Sequence, residues 1–170
     1  MIAYILIALG FLMRLAPHVP NTVPVAAIAI FAGAYLNKRQ VPWVPLAIMV
    51  ISDLIIGLHG VVFYTWGAFA LIGFAGMTLR KKRTPLTIIT TAIFSALIFF
   101  VISNFGVWVS WYPHTMQGFI TCYVKAIPFL RNTMLSNVLF ALALFGVYEL
   151  AGKLVVRTRF RRILLAEQQI

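Results

Sequence analysis

Residues 45–59, PLAIMVISDLIIGLH, place one carboxylate, Asp53, inside an otherwise apolar run. The whole chain contains only three acidic residues. A carboxylate at membrane depth costs roughly 2.5–3.5 kcal/mol on insertion scales, so it usually faces a partner or a watery cavity rather than lipid. We therefore expect Asp53 to mark the interior of a helical bundle.

The composition on either side of this run is that of an integral membrane protein. The 170 residues are 62% hydrophobic and 10% charged, with a mean hydropathy of +0.99, far from the balance of soluble domains. The formal charge of +11 lies in short clusters beside apolar runs, which argues against a nucleic-acid partner. A single cysteine excludes an intrachain disulfide and a CxxC motif.

Apolar periodicity predicts an all-α, integral membrane six-helix bundle, because each span needs about 20 residues. The predicted spans are 2–16, 22–37, 42–58, 61–79, 84–103 and 132–152. Residues 1–152 form one transmembrane domain in this interpretation, and residues 153–170 form a basic cytoplasmic tail. The connection over residues 104–131 is unusually long, and connections of this length are usually functional or carry a short helix.

The distribution of lysine and arginine predicts the orientation of the bundle. With the N-terminus in the cytoplasm, eleven of the fourteen basic residues lie on the cytoplasmic side, and only Arg14, Lys125 and Arg131 lie outside. The positive-inside rule thus favours six spans with both termini cytoplasmic. The eleven are Lys38, Arg39, Arg80, Lys81, Lys82, Arg83, Lys153, Arg157, Arg159, Arg161 and Arg162.

Polar and aromatic side chains converge on the outer end of this topology. Asp53 falls about 6 Å below the outer end of its predicted span. Arg14 lies at a similar depth, and the two are expected to form an ion pair. The predicted ligand-binding residues are Arg14, His18, Asn21, Asp53, His59, Tyr64, Trp66, Asn104, Trp108, Trp111, Tyr123, Lys125 and Arg131. In this hypothesis Arg14 and Lys125 or Arg131 hold anionic groups, Asp53 holds a cationic or hydrogen-bonding group, and aromatic rings cover an apolar face.

Each of these signals also has a structural interpretation. The Arg14–Asp53 pair contacts a ligand, handles a proton or only fixes the register of two helices. The tryptophans either stack on a ligand or anchor the bundle at the interface. His18, His59 and His114 lack the spacing of a zinc motif. Cys122 is either a packing residue or, less simply, a cobalt ligand.

No catalytic constellation is present in the sequence. It has no GxSxG, no HExxH and no paired carboxylates, and Asp53 is the only acid on the outer half. The sequence therefore gives no support for an enzyme and predicts no cofactor. A membrane-embedded enzyme with substrate entering from outside is a third interpretation, and it needs a general base that the sequence does not reveal.

Four segments carry a family resemblance: PNTVPVAAIAIFAGAYL, PLAIMVISDLIIGLHG, NFGVWVSWYP and CYVKAIPFLRNT. Together they resemble a family of small bacterial membrane proteins of uncharacterised function. That family in turn resembles the substrate-binding S components of energy-coupling factor (ECF) vitamin transporters in size and six-span plan. The resemblance implies a bundle in the bacterial cytoplasmic membrane that captures a vitamin or related micronutrient from outside.

The same resemblance implies partners. An S component works with ECF-type transmembrane and ATPase subunits, and a solitary binding protein is the other form the resemblance allows. Ala3 and Ala8 are five residues apart, whereas S components commonly carry an AxxxA spacing on the first helix for docking. The alternative from a different class is a structural or assembly subunit of a larger membrane complex, in which Arg14 and Asp53 only lock the bundle.

Overall fold

The computed structural model describes residues 1–16 and 22–155, and within these residues the fold is helical without strands. The predicted all-α six-helix bundle is therefore confirmed for this part of the chain. The helices are α1 (Ile2–Leu15), α2 (Val25–Tyr35), α3 (Trp43–Ile56), α4 (Val62–Gly76, continued by a 3-10 turn over Met77–Arg80), α5 (Pro85–Trp111) and α6 (Met116–Val155).

Helix α2 lies at the centre of the bundle. All 11 of its residues are buried, and it contacts each of the other five helices. Its sequence, VAAIAIFAGAY, is apolar on every side, as expected of a helix without a solvent-facing stripe. At 1.5 Å per residue it is about 16 Å long, roughly half the thickness of a bilayer core. Neighbouring helices, rather than lipid, therefore enclose α2.

Helix α3 shows how the short outer helices pack on this centre. Its buried residues Pro45, Ile48, Met49, Ser52 and Asp53 recur at helical spacing along one face. The opposite face exposes large apolar side chains, as a lipid-facing surface would. The exposed side chains of α3 include Ile51, Leu54, Ile55 and Ile56. Asp53 thus lies on the inward face, as the sequence predicted.

Arg80 caps the C-terminal end of α2. Its Nε donates to the Gly33 carbonyl at 2.8 Å and its Nη2 donates to the Leu36 carbonyl. The last carbonyls of a helix have no intrahelical donors, and a cation there also opposes the negative end of the helix dipole. The turn after α4 is thereby fixed against the end of α2.

Replacing Arg80 by glutamine is expected to lower the free energy of unfolding by about 2 kcal/mol, because two charge-assisted hydrogen bonds to carbonyls are lost. Thermal and denaturant unfolding of the detergent-solubilised protein would measure the change. Lys81→Gln is the matched control, since Lys81 is the exposed neighbouring cation. Equal destabilisation by both substitutions would contradict the capping role of Arg80.

Tyr35 organises an aromatic cluster at the same end of the bundle, named here the Arg80 end. Its ring lies 4.2 Å from the Tyr148 ring and 4.8 Å from the Phe31 ring, measured between centroids. Its hydroxyl donates to Glu149 Oε1 at 2.7 Å, and the Arg83 guanidinium lies 4.9 Å above its ring. This cluster ties α2 to α6 and to the α4–α5 turn. The opposite end, which holds Asp53, is named the Asp53 end.

The connection predicted over residues 104–131 differs in the structure. Helix α5 continues to Trp111 and α6 begins at Met116, so only residues 112–115 form the turn. Cross-helix contacts explain the extension, since Trp108 packs edge-on against Phe119 at 5.4 Å. Pro113 falls in the turn, and Pro128 lies inside α6 on an exposed side, where a missing backbone donor is tolerated in membrane helices. Most residues of the predicted long connection therefore belong to the end of α5 and the beginning of α6.

Three helices of the described residues are long and apolar enough to cross a membrane: Val62–Arg80, Pro85–Trp111 and Met116–Val155. The other three are apolar but have only 11 to 14 residues. At 1.5 Å per residue α6 is about 60 Å long, about twice the thickness of a bilayer core. The fold is compatible with a membrane bundle of unequal helices.

Candidate functional site

Asp53 is the centre of a hydrogen-bond network that joins α1, α3 and α4. Its Oδ1 accepts from Arg14 Nη2 at 2.5 Å and its Oδ2 accepts from Trp66 Nε1 at 2.8 Å. Arg14 Nε also donates to Ser52 Oγ at 2.6 Å. The His59 imidazole lies further away, with Nε2 at 4.0 Å from Oδ2. The ion pair predicted between Arg14 and Asp53 is confirmed.

The two oxygens of the Asp53 carboxylate are thus both engaged, and its side chain is only 3% exposed. Arg14 is 13% exposed, and its Nη1 has no hydrogen bond to any described residue. An aspartate in this setting holds the guanidinium in place and leaves its Nη1 group unbonded among the described residues. Asp53 therefore positions Arg14 instead of facing open space itself.

Beside this network, at the Asp53 end, lies a cavity of about 340 Å³. It lies among α1, α3, α4, α5 and α6 and the start of α2. Arg14 is the one permanently charged side chain on the described wall. The polar residues that line the cavity are Arg14, His59, Thr65, Ser103, Asn104 and Thr133.

The remaining wall of the cavity is apolar. It consists mainly of rings and branched side chains from α3, α4, α5 and α6 and from the connections before α2 and α4, which suits a ligand with an apolar body. These residues are Val23, Met49, Val61, Phe69, Phe99, Phe100, Val107, Ala126, Phe129 and Leu130. A niche of about 20 Å³ adjoins the cavity toward α2 and α6, with Asn137 and Ala26 on its wall. On its described wall the site is a mostly apolar cleft with one permanently charged group, Arg14.

The structure brings three of the predicted ligand-binding residues together on this wall: Arg14, His59 and Asn104. Asp53 and Trp66 do not line the cavity, and they lie behind Arg14 as its supports. The predicted His18 and Asn21 lie outside the described residues.

The other predicted residues lie around the cavity and do not line it. Trp111 approaches the Gly60 backbone, where an added Cβ would come within 3.0 Å of its ring. Tyr64 packs against Gly106, and the Tyr123 hydroxyl donates to the Val101 carbonyl at 2.7 Å. Trp108 belongs to the aromatic contacts between α5 and α6. Lys125 lies near the Tyr112 ring, and Arg131 is exposed on the surface of α6.

Cys122, the cobalt-ligand candidate of the sequence, is 2% exposed and does not line the cavity. Its thiol donates to the Asn104 carbonyl at 3.5 Å. Among the described residues no cluster of three His, Cys, Asp or Glu side chains has the arrangement of a metal site. The packing interpretation of Cys122 therefore fits its surroundings better than metal ligation.

Sequence reasoning missed the small hydroxyl residues of the wall, Thr65, Ser103 and Thr133. Their signal was present, because serine and threonine inside an apolar helix often mark contacts between helices or with a ligand. It is a weak signal, since this chain also carries such residues where they only bond to their own helix, as Thr91 does.

Similarity to known families extends over almost the whole chain. A model described as a family of unknown function, DUF6580, matches residues 1–160. The chain belongs to this family. No curated protein and no solved structure matches it. The description of the DUF6580 family names no ligand and no partner, so the function has to be argued from the cavity.

Proposed function

We propose that this DUF6580 protein is a membrane substrate-binding component for uptake of a vitamin or related micronutrient. The observation that carries the proposal is the cavity of about 340 Å³ with Arg14 on its wall. Pockets for small molecules typically measure about 300–1,000 Å³ and are apolar with a few placed polar groups. A small organic anion with an apolar body matches this description.

The distribution of charge supports an outward orientation of the cavity. The exposed cations Lys38, Arg39, Lys81 and Lys82 belong to the turns at the Arg80 end, and Arg80 itself binds there. By the positive-inside rule that end faces the cytoplasm. The proposal therefore includes six spans, both termini cytoplasmic, and a site that opens to the outside of a bacterial inner membrane.

The resemblance to S components supports the same function, with ECF-type transmembrane and ATPase subunits as partners or with the bundle acting alone. The alternative, an assembly subunit of a larger complex, predicts an outer cavity too small for a ligand. A volume of about 340 Å³ favours the binding function over that alternative. Co-purification in mild detergent separates the two through what accompanies the protein: a small molecule and an ATPase module, or a large complex.

Binding of a panel of water-soluble vitamins to the purified protein tests the proposal, with thermal stabilisation as the readout. At least one compound is expected to raise the melting temperature, and Ala126→Phe is expected to abolish that rise because its ring fills part of the cavity. Ala143→Phe is the matched control, since Ala143 is an exposed residue of the same helix. Absence of any stabilising compound, together with absence of a co-purifying small molecule, would contradict the proposal.

A further inference from the structure

The hydroxyl groups on the cavity wall share one chemical property. Each donates its proton to a carbonyl of its own helix, and a hydroxyl has only one proton to donate. What remains for the cavity is therefore a pair of acceptor lone pairs. The bonds are Thr65 Oγ1 to Val62 O at 2.9 Å, Ser103 Oγ to Phe99 O at 2.6 Å and Thr133 Oγ1 to Phe129 O at 2.9 Å.

The amide of Asn137, which is 2% exposed and lines the niche, has the same property. Ser95 Oγ donates to the Ala92 carbonyl at 2.7 Å, so its proton is already used. The group that faces Ser95 Oγ at 3.1 Å must then be the donor, Nδ2 of Asn137, and Nδ2 also approaches the Ala92 carbonyl at 3.5 Å. The amide orientation follows, and Oδ1 accepts no hydrogen bond from the described residues.

The niche that Asn137 lines adjoins the main cavity along a shared wall. Four residues that line the niche also line the main cavity: Val23, Phe69, Phe99 and Thr133. Along α6 the wall runs from Ala126 to Asn137, a rise of about 16 Å. The space is therefore elongated, with Phe69 and Phe99 limiting its inner part.

The ends of this space differ in hydrogen-bonding character. Around Arg14, the Nη1 group has no hydrogen bond to a described residue and the His59 ring adds nitrogens, whereas Asn104 Nδ2 already donates to the Phe100 carbonyl at 2.7 Å. Toward the inner end, Thr133 and Asn137 offer acceptors only. Buried acceptors that meet no donor lose hydrogen bonds they would make with water, at a cost comparable to a lost hydrogen bond.

From this polarity we infer the substrate class, an inference that rests on the proposed function. The ligand is an elongated organic anion whose acidic group meets Arg14 and whose opposite end carries N–H or O–H donors toward Thr133 and Asn137. Its middle is apolar or aromatic, to match Phe69 and Phe99. A ligand that lacks donors at the inner end binds more weakly, because the acceptors there stay unpaired.

A matched set of probes tests the inference: 4-(4-aminophenyl)butanoate, its N-methyl and N,N-dimethyl derivatives, and the methyl ester of the amino compound. Calorimetry on the detergent-solubilised full chain would give the affinities. We expect affinity to fall in the order amino, methylamino, dimethylamino, by about tenfold across the series. Equal or reversed affinities across that series would overturn the inferred donor requirement while leaving an anion site intact.

Two further outcomes separate this inference from the proposed function. If the methyl ester binds as well as the acid, the anion site at Arg14 fails, whereas a preserved dependence on N–H donors would still support the acceptor end. If none of the four compounds binds at millimolar concentration, the inferred substrate class is overturned, and the vitamin panel then decides the proposed function by itself.

Thr133→Val tests whether Thr133 Oγ1 is the acceptor for the N–H donor of the ligand. Valine keeps the shape of threonine and removes the oxygen, and the lost bond to its own helix contributes little to stability. We expect the variant to weaken binding of the amino probe by about three- to tenfold and to leave the dimethylamino probe unchanged. Thr91→Val is the control, because Thr91 makes the same type of bond in α5 away from the cavity. An equal effect of Thr133→Val on both probes would contradict the inference.

Discussion

Gly33→Ala is expected to destabilise the bundle by about 3 kcal/mol, at the upper end of the range for overpacked cores. A Cβ at Gly33 would overlap the Gly73 carbonyl oxygen and come within 2.8 Å of Gly76 Cα. These are backbone atoms, which cannot rotate away as a side chain would. α2 and α4 would have to separate, although α2 has no other side on which to move because all of its residues are buried.

Gly67→Ala is the matched control for this prediction. Gly67 lies in α4, and an added Cβ there would meet nothing within 4 Å. The same substitution is expected to raise the free energy of unfolding slightly, by about 0.5–1 kcal/mol, because alanine favours the helix. Melting temperatures of both variants in one detergent would measure the contrast. A Gly33→Ala protein as stable as Gly67→Ala would show that the α2–α4 contact is looser than described.

Asp53→Asn is expected to be nearly as damaging, at about 3 kcal/mol. Asparagine keeps an oxygen for Trp66 Nε1, but it leaves the largely buried guanidinium of Arg14 without a counter-charge. Removal of one partner from a buried ion pair typically costs about 3–5 kcal/mol. Unfolding of the detergent-solubilised protein by a denaturant series would measure the loss.

The double variant Arg14→Met with Asp53→Leu separates pairing from packing. With both charges removed, no ion is left unpaired, and such replacements are often neutral or stabilising. We expect the double variant to regain most of the stability that Asp53→Asn loses, and to lose binding of anionic ligands. If the losses in free energy of unfolding from Arg14→Met alone and Asp53→Leu alone simply add in the double variant, an energetic link between Arg14 and Asp53 would be contradicted.

Trp66→Phe, which removes one hydrogen bond to Asp53, should lower the free energy of unfolding by about 1 kcal/mol.

The sequence predicted the first four helices and the Arg14–Asp53 pair because both follow from local rules. Apolar runs bounded by Pro24, Pro42 and Gly57 limit helices to short segments, and a lone acid among apolar residues needs a nearby cation. Small residues at the spacing of Gly33, Gly73 and Gly76 are typical of close helix contacts, but only the structure shows which of them touch. Gly67 had the same spacing but lies in open space.

The α5–α6 hairpin could not be predicted in the same way. Its half at the Asp53 end is held by contacts between residues distant in sequence, such as Phe100 with Tyr123 at 5.6 Å, and aromatic residues are equally typical of interfacial loops. The residues of the cavity wall could not be predicted for a related reason. Thr65, Ser103 and Thr133 come from three helices, and only their arrangement in space shows that they share one cavity.

The complete enclosure of α2 also has a consequence for biogenesis. Membrane helices are made in sequence order, and α2 is synthesised well before α4 and α6, the helices that cover much of it. A segment of 11 residues is shorter than the 17 or so that a stable independent span requires. Its final position is therefore reached only after the last helix has been inserted. A chain truncated before α6 would leave this apolar segment without its enclosure, and we expect such a chain to be degraded by quality-control proteases.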